Sequence, residues 1–348
     1  MRVSWRGLIG VGTALGAVVC WAIGLAVLQH TTEPTGAAGY AENNTYWVRD
    51  LRMMALLVVV LGLLLAVDGA RAAVLPVGAL GLLWLAADVV LDRTDLAGAT
   101  AATGLALVGC AVVLAVVPLL ARWRNPDGPR PEPRTLLVVS AIAAATAPLA
   151  ARMESPTDTE PALAVGAVLL GVLLVVTGVA AARAAAPSTA ARGGAARWLG
   201  AGLLTAAGVA GVVSIRAVGV SAELVPMLVL VAALIVGGSL LASERPTDRA
   251  DLLRRTGALA VAVAGYPVLV MCLAILLIFS VPVGGWLTAL AGSPPVNAAD
   301  SDTLYALVGL LTGLALSGLV RIGAGGQPVR SLPSTRGRGT PSTATQMP

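Results

Sequence analysis

Ten windows of predominantly apolar residues recur along the chain and constrain its fold more than any other feature. A transmembrane helix needs about 20 such residues to cross roughly 30 Å of hydrocarbon. The sequence therefore predicts an all-α fold, a polytopic transmembrane helix bundle of about ten spans. The predicted limits of the spans are 7–28, 53–68, 72–90, 99–121, 135–152, 162–182, 198–215, 223–243, 257–280 and 303–321.

The composition supports this interpretation. Hydrophobic residues make up 57% of the chain and charged residues only 12%, whereas soluble globular proteins carry about a quarter charged residues. A water-soluble fold is thereby excluded. The 23 basic residues are all arginine, which is typical of GC-rich coding, so we expect a bacterial protein of the cell (plasma) membrane.

Two of the ten windows are only weakly apolar. The window 135–152 is mostly alanine with Pro148 near its end, and 198–215 is rich in glycine and alanine. Omitting either one would move the arginine-bearing loop 122–134 or 245–255 to the other side of the membrane, against the positive-inside rule. We therefore expect ten spans with both termini in the cytoplasm; eight spans is the alternative if both weak windows are lost.

The chain is expected to divide into a transmembrane domain, 1–321, and a disordered cytoplasmic tail, 322–348. The tail consists mainly of Gly, Pro, Ser, Thr and Arg and cannot bury a core, although its arginines could reach anionic lipid headgroups. Splitting the spans into 1–152 and 162–321 gives similar orders of connection length. That similarity raises the hypothesis of an inverted five-plus-five repeat, as in many secondary transporters.

Three residues inside spans are candidates for substrate binding. Asp88 lies about one turn before the outer end of the third span, where it could bind a proton or cation or simply reach the interface beside Asp92. Pro267 removes a backbone hydrogen bond in the ninth span and would bend the helix next to Tyr266. The candidates are therefore Asp88, Tyr266 and Pro267, and the alternatives are an interfacial aspartate and a packing kink.

Small residues recur at helical spacing in the first and last spans. These are Gly12, Gly16 and Gly24 in the first, and Gly309 and Gly313 in the last. Stripes of this kind let helix backbones approach closely. We interpret them as helix-packing sites within the bundle, with a homo-oligomer or membrane-protein partner interface as the alternative.

The largest external segments are predicted at 29–52 and 281–302. The first contains the only histidine, His30, and its charged end, 49–52, is interpreted as a solvated flank of the second span. A lone histidine without a second His or Cys partner gives weak support for a metal or nucleophilic site. No catalytic residue, metal ligand or cofactor is therefore assigned, and arginines confined to short loops do not indicate a nucleic-acid partner.

These observations leave three functional hypotheses. The ten-span layout resembles that of drug and metabolite exporters in architecture alone, which favours a permease-like transporter of a small molecule but does not establish one. The second hypothesis is a non-catalytic component or scaffold of a cell-envelope assembly, because buried polar residues are scarce. The third is an enzyme acting on lipid at the outer face through His30, Glu33 and Glu42.

Overall fold

The computed structural model describes residues 4–32, 45–94, 96–122, 131–153, 161–186, 194–218, 223–292 and 304–325. Within these ranges the chain forms helices joined by turns and contains no strand, as predicted. The eleven helices are α1 (Trp5–Ile23, Gly24–Leu28 and Gln29–Thr32 in one continuous run), α2 (Thr45–Ala66), α3 (Arg71–Asp92), α4 (Ala99–Ala121), α5 (Pro133–Arg152), α6 (Pro161–Ala185), α7 (Gly194–Ala217), α8 (Leu224–Ala242), α9 (Arg249–Phe279), α10 (Val283–Ala291) and α11 (Tyr305–Gly323).

Among the described residues, nine helices are long and apolar enough to cross a membrane, namely all except α2 and α10. The predicted second span, 53–68, corresponds to α2, which begins earlier, at Thr45. Its first half therefore includes Arg49, Asp50 and Arg52, and these charges distinguish it from the other nine. The interpretation of these three residues as a solvated flank was wrong, because all three are buried.

Two further boundaries differ from the expected ones. The segment 281–302, predicted as a connection, contains the short helix α10 over Val283–Ala291. The last helix continues to Gly323, two residues past the expected domain boundary at 321. Most of the predicted tail, 326–348, lies outside the described residues.

Contacts between helix ends define two faces of the bundle. At one face Arg6 pairs with Asp68 at 3.2 Å, and the Glu132 amide donates to the Asp68 carbonyl at 2.9 Å. At the other face Arg52 of α2 pairs with Asp92 of α3. We call these the Arg6 face and the Arg52 face. Because α2 carries Arg52 near one face and ends beside Asp68 at the other, it runs between the faces like the nine apolar helices.

Both weakly apolar windows are helical, as α5 and α7. Helix α5 is the most enclosed of the candidate spans, since 83% of its apolar window is buried, compared with 17% in α3, α4 and α9. It packs most extensively against α6 and α11. Its alanines suit this central position because small side chains let neighbouring backbones come close. Its low hydropathy reflects the fact that it faces other helices rather than lipid.

The glycines of α11 lie where that helix crosses α5. A Cβ added at Gly313 would lie 2.3 Å from the Ile142 Cα, and one at Gly309 would lie 2.5 Å from the Thr146 Oγ1. Real Cβ atoms do not approach other atoms so closely, so both positions require glycine at the observed helix separation. The α5–α11 contact is thus a seam between two backbones.

The glycines of α1 differ from one another in their surroundings. A Cβ at Gly12 would meet no atom within 4 Å, and one at Gly16 would lie 3.3 Å from the Leu173 side chain. At Gly24 it would lie 3.0 Å from the Cγ of Arg52. The tightest backbone approach of α1 is at Gly10, where a Cβ would lie 2.5 Å from the Ala66 amide nitrogen of α2.

We expect Gly313→Ala to lower the free energy of unfolding by about 1 to 3 kcal/mol, because the added methyl group overpacks the α5–α11 seam. Gly318→Ala is the matched control in the same helix, since its Cβ would meet no atom within 4 Å. Thermal unfolding of both variants in lipid nanodiscs checks this. Equal melting temperatures for the two variants would contradict the close approach of α5 and α11.

Candidate functional site

Three charged side chains lie together in the interior near the Arg52 face. The Arg52 guanidinium donates to both carboxylate oxygens of Asp92, at 3.1 and 2.9 Å. The same group lies 3.3 Å from the Oδ2 of Asp88. The side chains of Arg52, Asp88 and Asp92 are only 1%, 0% and 5% exposed. We call these three residues the charge cluster.

The local sequence of α3 explains how one arginine reaches both carboxylates. Asp88 and Asp92 are four residues apart, which places them on the same side of the helix, one turn from each other. On α1, the Trp21 Nε1 donates to the Asp88 Oδ1 at 2.8 Å. The Trp21 ring packs edge-on against Trp84 with centroids 5.5 Å apart. The Asp88 carboxylate is therefore held from two sides, by a guanidinium and by an indole.

Helix α1 changes its hydrogen-bond pattern where it passes the charge cluster. Gly24–Leu28 forms a π-helical segment, a rare geometry that recurs at functional sites. Gly24 leaves room for the Arg52 side chain, whose Cγ is 3.0 Å from where a Cβ would stand. The next residue after the segment, Gln29, accepts a hydrogen bond from the Arg52 Nη1 at 3.3 Å. The amide of Gly98, before α4, donates to the Ala26 carbonyl at 2.8 Å and covers the segment.

A second pair of buried charges adjoins the cluster one turn earlier on α2. Arg49 donates to the Thr288 hydroxyl at 2.6 Å and to the Gly284 carbonyl at 3.2 Å, both on α10. The Asp50 carboxylate accepts from the amide of Tyr305 at 3.2 Å, at the start of α11. The unpredicted helix α10 and the first turn of α11 are thus fixed to α2 by charged hydrogen bonds, which are stronger than neutral ones.

Two buried carboxylates share one guanidinium in the charge cluster: Asp88 and Asp92 both pair with Arg52, at 3.3 and 2.9 Å. Arg49 and Asp50 are also buried, one turn away on α2. Burying ions costs several kcal/mol each unless counter-charges and hydrogen bonds compensate. A carboxylate that parts from its guanidinium in such a place can be compensated by a proton or by a cation.

Tyr266 and Pro267 occupy a different part of the molecule. The Tyr266 hydroxyl is buried and donates to the Ala145 carbonyl of α5 at 3.0 Å. Helix α9 continues through Pro267, which is half-buried. No hydrogen bond or ion pair among the described residues joins either residue to Asp88. The structure therefore separates the three candidate substrate-binding residues into two locations.

The interior void between α5, α6 and α8 is small. It is lined by Ser140, Gly178 and Gly238, among others, and has a volume of about 10 Å³. That is room for about one water molecule. It cannot hold a solute in this conformation.

His30 is the one candidate residue of the outer-face enzyme hypothesis that the structure describes. The Nε2 of His30 lies 3.1 Å from the Leu96 carbonyl, to which it can donate. No group of three or more His, Cys, Asp or Glu side chains that could hold a metal occurs among the residues described. Glu33 and Glu42 lie outside the described residues, so the hypothesis of an outer-face enzyme stays untested.

Sequence reasoning missed most of the charge cluster. It assigned Arg52 to a solvated flank, considered Asp92 only as an interfacial neighbour of Asp88, and passed over Trp21 and Gln29. One signal was present: Asp88 and Asp92 share a helix face, and no arginine in α3 accompanies them there. Two carboxylates on one buried face need a basic partner from another helix, and the preceding helix α2 carries Arg49 and Arg52.

In comparisons with protein-family models, curated proteins and solved structures, nothing matches this chain. The class of the protein therefore rests on the helices themselves. Its many long apolar helices, with charged residues gathered near helix ends, are those of a multi-pass membrane protein.

Removing the basic member of the charge cluster should be strongly destabilising. We expect Arg52→Gln to cost about 3 to 5 kcal/mol of unfolding free energy, because it leaves two buried carboxylates without a counter-charge. Adding Asp88→Asn and Asp92→Asn to that variant should restore part of the lost stability.

Arg71→Gln is the control. The Arg71 side chain, which pairs with Glu132, is 63% exposed, and exposed pairs contribute at most about 1 kcal/mol. Unfolding in nanodiscs provides the measurement, and equal effects of Arg52→Gln and Arg71→Gln would be inconsistent with a buried cluster.

Tyr266→Phe tests whether that hydroxyl serves packing. We expect it to lower the free energy of unfolding by about 1 kcal/mol, the net value of one buried hydrogen bond. Solute binding should be unchanged. Thermal unfolding together with a solute-binding screen distinguishes the two roles. Loss of solute binding without loss of stability would instead assign the hydroxyl to a binding site.

Proposed function

We propose that this protein is a permease-like transporter of a small solute in the plasma membrane and that the charge cluster is its outer gate. The observation that carries the proposal is the burial of Arg52, Asp88 and Asp92 between three helices at one end of the bundle. Ionisable residues inside a membrane bundle are costly and usually line ion or substrate pathways.

The proposed orientation places both termini in the cytoplasm, with the Arg6 face inside. Its support is the unequal distribution of arginines between the faces, since cytoplasmic loops carry an excess of them. The described arginines at the Arg6 face are Arg6, Arg71, Arg122, Arg134, Arg183, Arg197, Arg245, Arg249, Arg254, Arg255 and Arg321. Those at the Arg52 face are Arg49, Arg52, Arg93, Arg152 and Arg216.

The geometry suits a gate because the ion pairs join elements that would have to separate. Arg52 belongs to α2, the aspartates belong to α3, and the hydrogen bonds from Trp21 and to Gln29 add α1. The π-helical segment Gly24–Leu28 lies at the same level and gives α1 a local break in its regular hydrogen bonding. Broken helices beside buried charges are how many transporters build moving parts.

The two carboxylates that share Arg52 favour a cation or a proton as the species that opens the gate. A positive charge that reaches Asp88 or Asp92 competes with Arg52 and offsets the cost of parting the ion pair. A ligand shifts a conformational equilibrium only by its difference in affinity for the two states. The proposed substrates are therefore small organic cations or protonated amines. The inverted repeat of 1–152 and 162–321 belongs to the same proposal, with the central helices α1 and α6 as its first members.

Cys20 offers a test that needs no known substrate. It is buried on α1, one helical turn before Gly24 and on the same side of the helix. In a Cys110→Ser, Cys272→Ser background, a membrane-impermeant thiol reagent should modify Cys20 from the Arg52 face only when the gate opens. We expect Asp88→Asn to raise that labelling rate about tenfold or more, because it weakens the gate. Arg71→Gln, which breaks an ion pair at the opposite face, should not.

Labelling in right-side-out and inside-out vesicles separates the functional classes. A transporter with alternating access predicts that Cys20 reacts from both sides, and that small organic cations change the rates. A scaffold predicts that Cys20 stays unreactive from both sides even in Asp88→Asn, and that result would overturn the transport proposal.

A further inference from the structure

An open cleft lies at the Arg6 face, away from the charge cluster. Its volume is about 380 Å³, and it is bordered by the start of α5, the ends of α6, α8 and α11, and the start of α9. Three arginines from three different helices line it: Arg134, Arg255 and Arg321. A cleft of this size is within the range of small-molecule sites.

Arg255 is a fixed member of this cleft. Its Nη2 lies 2.6 Å from the Asp251 carboxylate and its Nη1 donates to the Glu244 carbonyl at 2.9 Å. The residue is only 8% exposed. Gly325, with φ +88°, turns the chain after α11 against the guanidinium, where any Cβ would lie 2.7 Å from it. The Arg255 side chain is therefore held between α9 and the end of α11.

The other two arginines have donors to spare. Within the described residues, neither Arg134 nor Arg321 forms an ion pair or a hydrogen bond. The Nε of Arg321 is buried and has no acceptor, and the same holds for the Nε of Arg255. Leaving a buried charged donor without an acceptor is costly. These guanidinium groups therefore offer free donors to an anionic acceptor.

The charge balance of the lining agrees with this. The three arginines are accompanied by two acidic residues, Glu132 and Glu244. Two of these five residues are paired with residues outside the lining, Glu132 with Arg71 at 2.9 Å and Arg255 with Asp251 at 2.6 Å, which leaves Arg134 and Arg321 with Glu244. The cleft therefore carries an excess of positive charge, and its remaining walls include the apolar Leu137.

We propose that this cleft binds one phosphate group, as a phosphodiester or phosphomonoester. Guanidinium groups match the oxygens of phosphate with paired, charge-assisted hydrogen bonds. Basic pockets between transmembrane helices are known to bind anionic headgroups. The phosphate comes either from an anionic lipid whose chains lie beside the bundle or from a soluble phosphate ester. The cleft shares no residue with the charge cluster, so this proposal does not depend on the proposed transport function.

The experiment uses the full-length protein in nanodiscs of zwitterionic phosphatidylcholine, with or without phosphatidylglycerol. Melting temperature and native mass spectrometry report bound lipid, and inorganic phosphate added to the phosphatidylcholine nanodiscs probes the soluble source. The variants are Arg134→Gln and Arg321→Gln. Arg245→Gln removes an exposed charge from the same face without touching the cleft and serves as the matched control.

We expect phosphatidylglycerol or phosphate to stabilise the wild-type protein, and each cleft variant to weaken that binding at least about tenfold, the loss of one charge-assisted hydrogen bond. Stabilisation by phosphatidylglycerol alone identifies a lipid headgroup, and stabilisation by phosphate identifies a soluble ester. Because Arg134 is exposed, its variant should melt like the wild type in phosphatidylcholine. The proposal is overturned if neither probe stabilises the wild type, or if Arg245→Gln weakens binding as much as the cleft variants.

Discussion

The Arg52 guanidinium is buried between α1, α2 and α3, and its need for counter-charge fixes how these helices meet. Moving an ion out of water costs several kcal/mol even after relaxation, so this group is tolerable only where Asp88 and Asp92 both reach it. Helix α1 is adapted to the Arg52 side chain in two ways. Gly24 leaves space for it, and Gln29, directly after the π-helical segment, accepts a hydrogen bond from its guanidinium. The neighbouring buried charges also need polar partners: Arg49 donates to Thr288 of α10, and Asp50 accepts from the first amide of α11.

Below this polar end the bundle is held by close packing of small residues. Helix α5 lies at its centre, with α11 crossing at Gly309 and Gly313 and α6 packing along it. In lipid there is little hydrophobic drive between helices, so contacts between backbones and small side chains supply the attraction. The peripheral helices α3, α4 and α9 instead turn most of their large side chains outward. Tyr266 adds one hydrogen bond between α9 and α5 within this packed region.

The two ends of the bundle thus differ in kind. At the Arg52 face, Arg52 forms buried ion pairs with Asp88 and Asp92 that join α2 to α3. At the Arg6 face, an open cleft is lined by three arginines, and the buried Nε atoms of Arg255 and Arg321 have no acceptor. The charge cluster is built from α1, α2 and α3, whereas the cleft is lined by α5, α6, α8, α9 and α11, so the two regions share no helix.

The apolar windows by themselves determined that the chain is helical and where nearly every long helix lies, because about 20 consecutive apolar residues leave few other structures available. The weak windows 135–152 and 198–215, which the distribution of arginines kept in the count, are both helical. The sequence did not reveal that 135–152 is central, since low hydropathy looks the same in a poor span and in a helix shielded from lipid. Nor did it reveal the charge cluster, because Arg52 and Asp88 lie on different helices, and only the tertiary structure decides whether two charges near helix ends face water or each other.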